Sequence, residues 1–523
     1  MEPSPPRNGE DSRTKTRISP KTNSQNILIQ GAVIMNPTII SILIAYLVIC
    51  IIIGVWATKK TKSSSDFYVA GKSLGMFVMA IAAFSSVQSG VGMVGGTALT
   101  FKNGLGFIAG PLIAASIGFG LTWFLVGRRI WELGAKEEIY TMGDIVGSRY
   151  KSRAAQGWMG IAVILGVLGY LGTQVQALGV IMNLTFGLSV KEGAIIGLII
   201  LAVYAVGGGM IAGVYTDVVQ GVMMIFVSII VFFYALDAGG GLLNITKTLQ
   251  EADPIMASPT GQFPLMTIIC WFFMMSLGMA GQPQLVTKFL MLKDVKQLKW
   301  GAFTSGAAYL ITIFLVLGIG LASAALYSQG KFPAIASPDD TLMTFILNYT
   351  HPVIAGLVIS GLLAAIMSTG DSFVNLGAGA IIRDIPKAFN IEVKRELFWS
   401  RIAVVALLVA SALFAFYMNT LVGLLGVFGF GTFAAAIFPS VVLGLIWEKA
   451  TKQAAVTSIV IGIASNFILE IGSKYGFTII PPTVVNGAFA FALSMITFIV
   501  VSFLTQSKQP ALEPHMQQVI KGI

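Results

Sequence analysis

The sequence predicts an all-α polytopic membrane protein of about 13 transmembrane helices with a five-plus-five inverted-repeat core. Three observations carry this reading. Hydrophobic residues make up 55% of the 523 residues and charged residues only 11%, against roughly 25% charge in a soluble domain. Uncharged runs of the length needed to cross a hydrocarbon core, about 20 residues at 1.5 Å each, recur along the chain. Two of these runs are interrupted in the middle by glycine, hydroxyl and amide residues.

In chain order, the first span is Thr38 to Ala57. The second, Leu74 to Thr100, contains Ser85-Ser86-Val87-Gln88-Ser89-Gly90-Val91-Gly92-Met93-Val94-Gly95-Gly96. Such a sequence favours exposed backbone, which a membrane tolerates only where protein shields it or a cavity adjoins it. Leu105 to Gly127 follows; the uncharged stretch 154 to 190 is too long for one upright span and reads as a tilted helix with its exit loop. Then come Gly193 to Gly208, Val214 to Leu236, Pro264 to Phe289, Trp300 to Tyr327, His351 to Ile382, Trp399 to Tyr417, Leu421 to Trp447, Ala454 to Ile471 and Thr483 to Thr505.

The second interrupted segment, Met274 to Pro283, lies five spans after the first. An odd separation makes the two halves cross the membrane in opposite senses, and paired interrupted helices in inverted halves are the pattern of secondary transporters with a midplane site. The chain divides accordingly into a disordered tail 1–35, a leading helix and loop 36–73, a first repeat 74–237, an extracellular loop 238–263, a second repeat 264–447, two further helices 448–505 and a cytoplasmic tail 506–523.

Charge gives the orientation. Alternate loops, with Lys288 counted among them, hold 23 Lys/Arg on one side against 5 on the other, so the positive-inside rule places the C-terminus in the cytoplasm and the N-terminus outside, in the plasma membrane. The five basic residues between Arg7 and Lys21 oppose this, and Met35 is an alternative start that removes the conflict. The net charge of +10 is therefore a topology signal; its short loops, interleaved with acids, do not form a nucleic-acid surface, and the lipid bilayer is the expected neighbour. Cys50 and Cys270 both fall in spans, and His351 and His515 form no ligand cluster, so neither a disulfide framework nor a bound transition metal is expected.

Ionisable groups inside spans usually have a function, since they cost about 2.5 to 3.5 kcal/mol to insert. Asp217 and Asp371 are two such groups. Gly361, Ala365, Ser368, Ser372 and Asn375 step by three or four and share a narrow polar helix face, suited to a hard cation that takes oxygen ligands. The competing readings are a helix cap at Thr216 or Asp217 and a packing stripe along 361 to 375. The GxGxxG pattern at Gly90 to Gly95 lacks a βαβ setting and is not a dinucleotide fingerprint.

With these residues in view, the chain resembles the sodium/solute symporters, proline and pantothenate carriers among them. The resemblance rests on the glycines before Ala212-Gly213-Val214-Tyr215-Thr216-Asp217-Val218-Val219-Gln220, on Ala364 to Thr369, and on Gly281-Gln282-Pro283 followed by Lys288-Phe289. It implies a leucine-transporter-like core, sodium as coupling ion and no organic cofactor. It further implies a sodium site from the carbonyls of Ser85, Gln88 and Ala365 with the hydroxyls of Ser368 and Thr369. In some members a further sodium lies at positions matching Asp217, Asp371 and Ser372; the acid at 371 leaves a second sodium, a shared proton or structural pairing open.

Ser89, Gly90, Tyr170, Gln174, Gln176, Met275 and Met279 are the expected substrate contacts. Val91, Met275 and Met279 stand where the proline carriers are expected to place aromatic contacts, which disfavours proline itself. No Lys or Arg is expected in the middle of a core helix, so the substrate is expected to be a small monocarboxylate or neutral amino acid, then a pantothenate-like acid, then a sugar. A channel would need a continuous pore, a sensor an output module beyond the short tail, and an enzyme a nucleophile–base or metal-ligand pair.

Overall fold

The computed structural model describes residues 36–418, 422–508 and 511–522; the expected disordered tail lies outside these. Among the described residues, ten helices are long and apolar enough to cross a membrane, and each of two bent helix pairs adds one more when taken as a single span. The helices start where the sequence supplies partners for their first amide groups. Asn36 accepts from Thr38 N, with Pro37 opening the leading helix Pro37–Lys60, while Ser152, His351 and Thr451 cap later ones.

Both interrupted segments are bent. The first broken helix pairs Met76–Val87 with Val91–Asn103 at 56°, and the second pairs Leu265–Gly281 with Pro283–Met291 at 42°. At each bend a glutamine leaves helical geometry: Gln88 at φ −70, ψ 119 and Gln282 at φ −79, ψ 114. In the first, the backbone resumes through a widened π turn at Val91–Gly95; in the second, Pro283 starts the new half. One end of each broken helix is tied to an end of the other, because Leu74 N donates to Met291 O at 3.1 Å and Lys293 N to Leu74 O at 2.9 Å.

The uncharged stretch after Arg153 is a single helix, Arg153–Phe186, of 34 residues, hence about 50 Å long at 1.5 Å per residue. The two spans expected at 193–208 and 214–236 meet directly within Val190–Ala238, where the chain leaves helical geometry at Gly209 with φ 53 and ψ −151. A side chain at Gly209 would both strain this dihedral and meet the Phe67 carbonyl oxygen at 2.8 Å.

Burial separates inner from outer helices. The most apolar windows of Leu298–Ser328, Pro352–Ala388 and Gly426–Ile446 are 78%, 83% and 89% buried, whereas those of Pro37–Lys60, Glu396–Tyr417 and Asn486–Thr505 are near 30%. The outer helices show the bilayer their aliphatic faces. Within the inner set, Val190–Ala238 packs along Pro352–Gly379, and the first broken helix lies between Leu298–Ser328 and this pair.

Candidate functional site

An unbroken helix uses each carbonyl to accept from the amide four residues on. The bend at Gln88 releases Ser85 and Gln88 from that pattern, and both carbonyls point at the facing helix Pro352–Ala388. Ser368 Oγ donates to Ser85 O at 2.9 Å, and Thr369 Oγ1 donates to Gln88 O at 3.1 Å. The same hydroxyls lie 3.1 and 3.0 Å from Ala365 O. Three carbonyls and two hydroxyls from distant parts of the chain thus meet in one spot, and all five residues are at most 2% exposed.

The donor chemistry fits a hard monovalent cation. Every converging atom is a neutral oxygen, the hydroxyl protons can rotate away, and carbonyl oxygens replace a hydration shell as they do in ion filters. Ser85 Oγ is buried beside them with no hydrogen-bond partner. Among the described residues there is no His, Cys, Asp and Glu group able to hold a transition metal.

On the other side of the broken helix is a small enclosed cavity that accommodates water centres over about 30 Å³, room for a few waters at most. Ser89, Val91, Tyr170, Met275, Met279 and Phe430 are among its walls. Ser89 Oγ and Tyr170 Oη are 3.5 Å apart and form its polar end. Tyr170 is held by Phe373, 4.7 Å between ring centres, which in turn stacks on Phe433 at 5.4 Å.

Two expected substrate contacts are occupied elsewhere. Gln174 Oε1 accepts from Gly90 N at 3.1 Å, and its amide donates to Thr173 Oγ1 at 2.7 Å, so this residue braces the bend rather than lining the cavity. Gln176 donates to Ala415 O at 3.2 Å, away from it. Gly90 lies at the bend against Gln174 and Ala177.

Asp217 is not a cap. It sits two turns into the second half of Val190–Ala238, fully buried, and its Oδ2 lies 2.9 Å from Lys288 Nζ. This corrects the expectation of a core without basic groups. Lys288 belongs to the half-helix Pro283–Met291 and is 2% exposed, inside the protein rather than in the loop to which the charge count assigned it. Asp371 is also buried; Asn375 Nδ2 donates to its Oδ1 at 3.1 Å, while its Oδ2 presses on Gly213, one turn before Asp217. Gln220, three residues after Asp217, donates to Tyr46 Oη at 2.9 Å and so ties the leading helix to this cluster.

A second network escaped the sequence reading. Asp144 accepts from Arg383 Nε and Lys387 Nζ, both at 2.7 Å, and from Gln156 Nε2 at 3.1 Å. It joins the short helix Met142–Tyr150 to the end of Pro352–Ala388. Arg149 in that short helix donates to Gly444 O and is held below its ordinary pKa by burial.

The chain is similar to known proteins in sequence and in fold. The sodium:solute symporter family profile matches residues 67–462. The sodium/pantothenate symporter of Haemophilus influenzae is 28% identical over 475 residues, covering 87% of this chain and 96% of that protein. The high-affinity proline transporter PutP of Bacillus subtilis is 27% identical over 478 residues, covering 88% and 97%. In fold, the chain is similar to a substrate-bound, outward-open sodium-coupled sialic acid symporter, with a TM-score of 0.73 at 19% identity over 90% of this chain and 98% of that one.

Proposed function

The chain belongs to the sodium:solute symporter family, and from that premise we propose that it imports a small organic solute across the plasma membrane, driven by sodium bound at Ser85, Gln88, Ala365, Ser368 and Thr369. The observation that carries this is the convergence of the three carbonyls and two hydroxyls where the first broken helix meets its partner. Sodium there joins the two helices through ligands from both, so its occupancy and the shape of the adjoining cavity depend on one another. Asp217, Asp371 and Ser372 form an accompanying second site, for a cation or a proton.

The solute is a monocarboxylate or neutral amino acid, held at its polar end by Ser89 and Tyr170 and over its body by Met275 and Met279. Small size is supported by the cavity, a single charge by the absence of a basic group among its walls. Pantothenate is the second reading, favoured by the relative at 28% identity. The half-helix amide groups after Gly90 suit one carboxylate.

The topology that goes with this reading has thirteen spans, counting Val190–Ala238 as two across Gly209, with the two broken helices leading inverted repeats of a leucine-transporter-like core. The N-terminus is outside and the C-terminus cytoplasmic. Uptake of a labelled metabolite panel into proteoliposomes tests the whole reading. A sodium gradient should drive accumulation of one class of monocarboxylate or amino acid; accumulation driven by a proton gradient alone would overturn sodium coupling.

A further inference from the structure

The helices Ile108–Lys136 and Leu298–Ser328 present Leu112, Ala115 and Tyr309 to the solute cavity, and on a second, outward face they enclose a groove of about 540 Å³. They run antiparallel, with Gly127 packed on Leu298, Gly301 on Trp123 and Gly306 on Ser116. A Cβ at Gly306 would lie 3.2 Å from Ser116 O, so the two backbones nearly touch and form the floor. At Gly120 a Cβ would meet nothing within 4 Å, so the space above the floor is open there. Exposed side chains of Ile117, Phe124, Phe303 and Leu310 make the rims. The groove runs from Lys299 to Leu310, about 16 Å at 1.5 Å per residue. That is half of a hydrocarbon core of about 30 Å, the depth of one leaflet. A spanning helix of another chain would need a groove across the whole core, whereas an acyl chain needs only this half. At the outer end, Lys299 Nζ lies 6.0 Å from the centre of the Trp300 ring, an exposed tryptophan of the kind that marks headgroup level. Residues 292–299 hold Lys293, Lys296 and Lys299 against one acid, Asp294. Among the described residues no carboxylate pairs with Lys299.

We propose that this groove is a binding site for one anionic phospholipid, with an acyl chain lying along Gly120 and Gly306 and the phosphate on Lys299. The match is one of length and of charge. Lys299 lays its stem along the apolar rim and carries its ammonium to the headgroup layer, where a phosphate is its natural partner. The lysines beside it favour a headgroup of net negative charge. A zwitterionic headgroup would instead bring its own ammonium toward Lys293 and Lys296, where like charges repel. The bound chain replaces mobile lipid over a floor of glycine and alanine that no side chain of the protein covers. Because the same two helices wall the solute cavity, the lipid braces that wall from the membrane side.

The test is native mass spectrometry of the purified full-length protein, delipidated in detergent and titrated with phosphatidylglycerol or with phosphatidylcholine of the same acyl chains. It needs no knowledge of the solute. The wild-type protein should bind one phosphatidylglycerol per chain in its tightest class, about five-fold or more ahead of phosphatidylcholine. Lys299→Gln should weaken phosphatidylglycerol about five-fold, the share of one basic residue near an anionic headgroup, and leave phosphatidylcholine unchanged; Lys299→Arg should keep the preference. Gly120→Leu sends its side chain into the open space of the groove and should displace both lipids without lowering the thermal unfolding temperature. Equal affinity of the wild type for the two lipids would overturn the inference, as would a preference that survives Lys299→Gln or a folded Gly120→Leu protein that binds phosphatidylglycerol as the wild type does. Should Gly120→Leu fail to fold, the Lys299 pair decides. Oxidative cross-linking of Gly120→Cys to a second copy, beyond the wild-type level, would give the groove to another chain of this protein and overturn the lipid assignment.

Discussion

The Lys288 ammonium lies 2.9 Å from Asp217 Oδ2, with the two side chains 2% and 0% exposed. Removing one member of such a pair leaves an unpaired buried charge and typically costs about 3 to 5 kcal/mol, whereas replacing both with apolar or neutral groups of similar size is often neutral. Asp217→Ala is therefore expected to lower the thermal unfolding temperature in detergent markedly and to abolish uptake. Asp217→Asn combined with Lys288→Met should recover most of the stability. Additive losses in the double variant would show that the pair is not coupled.

Thr369→Ala removes one neutral oxygen from the proposed sodium shell and leaves Gln88 O without its donor. The sodium concentration for half-maximal uptake should rise at least several-fold, in line with about 1 to 3 kcal/mol for a buried group that loses its partner. Ser372→Ala, whose hydroxyl has no hydrogen-bond partner, should shift it less. Equal sodium titrations for wild type and Thr369→Ala would sink the assignment.

Gln174 and Gln176 are predicted to behave differently. Gln174→Leu strips Gly90 N of its acceptor at the bend and should cost about 1 to 3 kcal/mol of stability along with most uptake. Gln176→Leu removes one bond to Ala415 O in a half-buried setting and should retain near-normal uptake. Both are read by thermal unfolding and transport in the same preparation.

Asp339 supplies a pH dependence outside the spans. Its Oδ2 accepts from Val422 N at 3.2 Å, at the start of the helix that also carries Gly426 and Phe430 to the cavity. Burial pushes its carboxyl up to about 6, only partly offset by that amide. Because the folded value exceeds the unfolded value of about 3.9, the protonated form is favoured by folding. Its stabilisation is complete at low pH and is lost as pH rises from about 4 through about 6. Asp339→Asn, which keeps an acceptor for Val422, should match the wild type near pH 4 and unfold at a higher temperature at pH 7.5. An unchanged difference across that range would contradict the assignment.

The parts of this site legible in the sequence are those where a residue type conflicts with its surroundings. Hydroxyls, glycines and a glutamine inside an apolar run announce the bend at Gln88, because no lipid-facing helix would retain them. Lys288 gave the opposite impression. It ends an apolar run, where a lysine ordinarily reaches toward water, and sequence spacing does not reveal that Pro283–Met291 stays inside the bundle. Gln174 and Gln176 lie about 200° apart around one helix, so the cavity can face only one of them, and the fold gives Gln174 to the bend instead. Asp144 and Arg383 are 239 positions apart, and only tertiary structure unites them.

The paired hydrogen bonds between Leu74 and residues 291 and 293 act as a clasp on two levers. One lever runs to the kink at Gln88 and the other to the kink at Gln282. While the clasp holds, neither lever swings without carrying its neighbour, so the wall that carries Ser85 and the wall that carries Met279 shift in the same stroke. A change of angle at one kink is then felt at the other, through a contact remote from both.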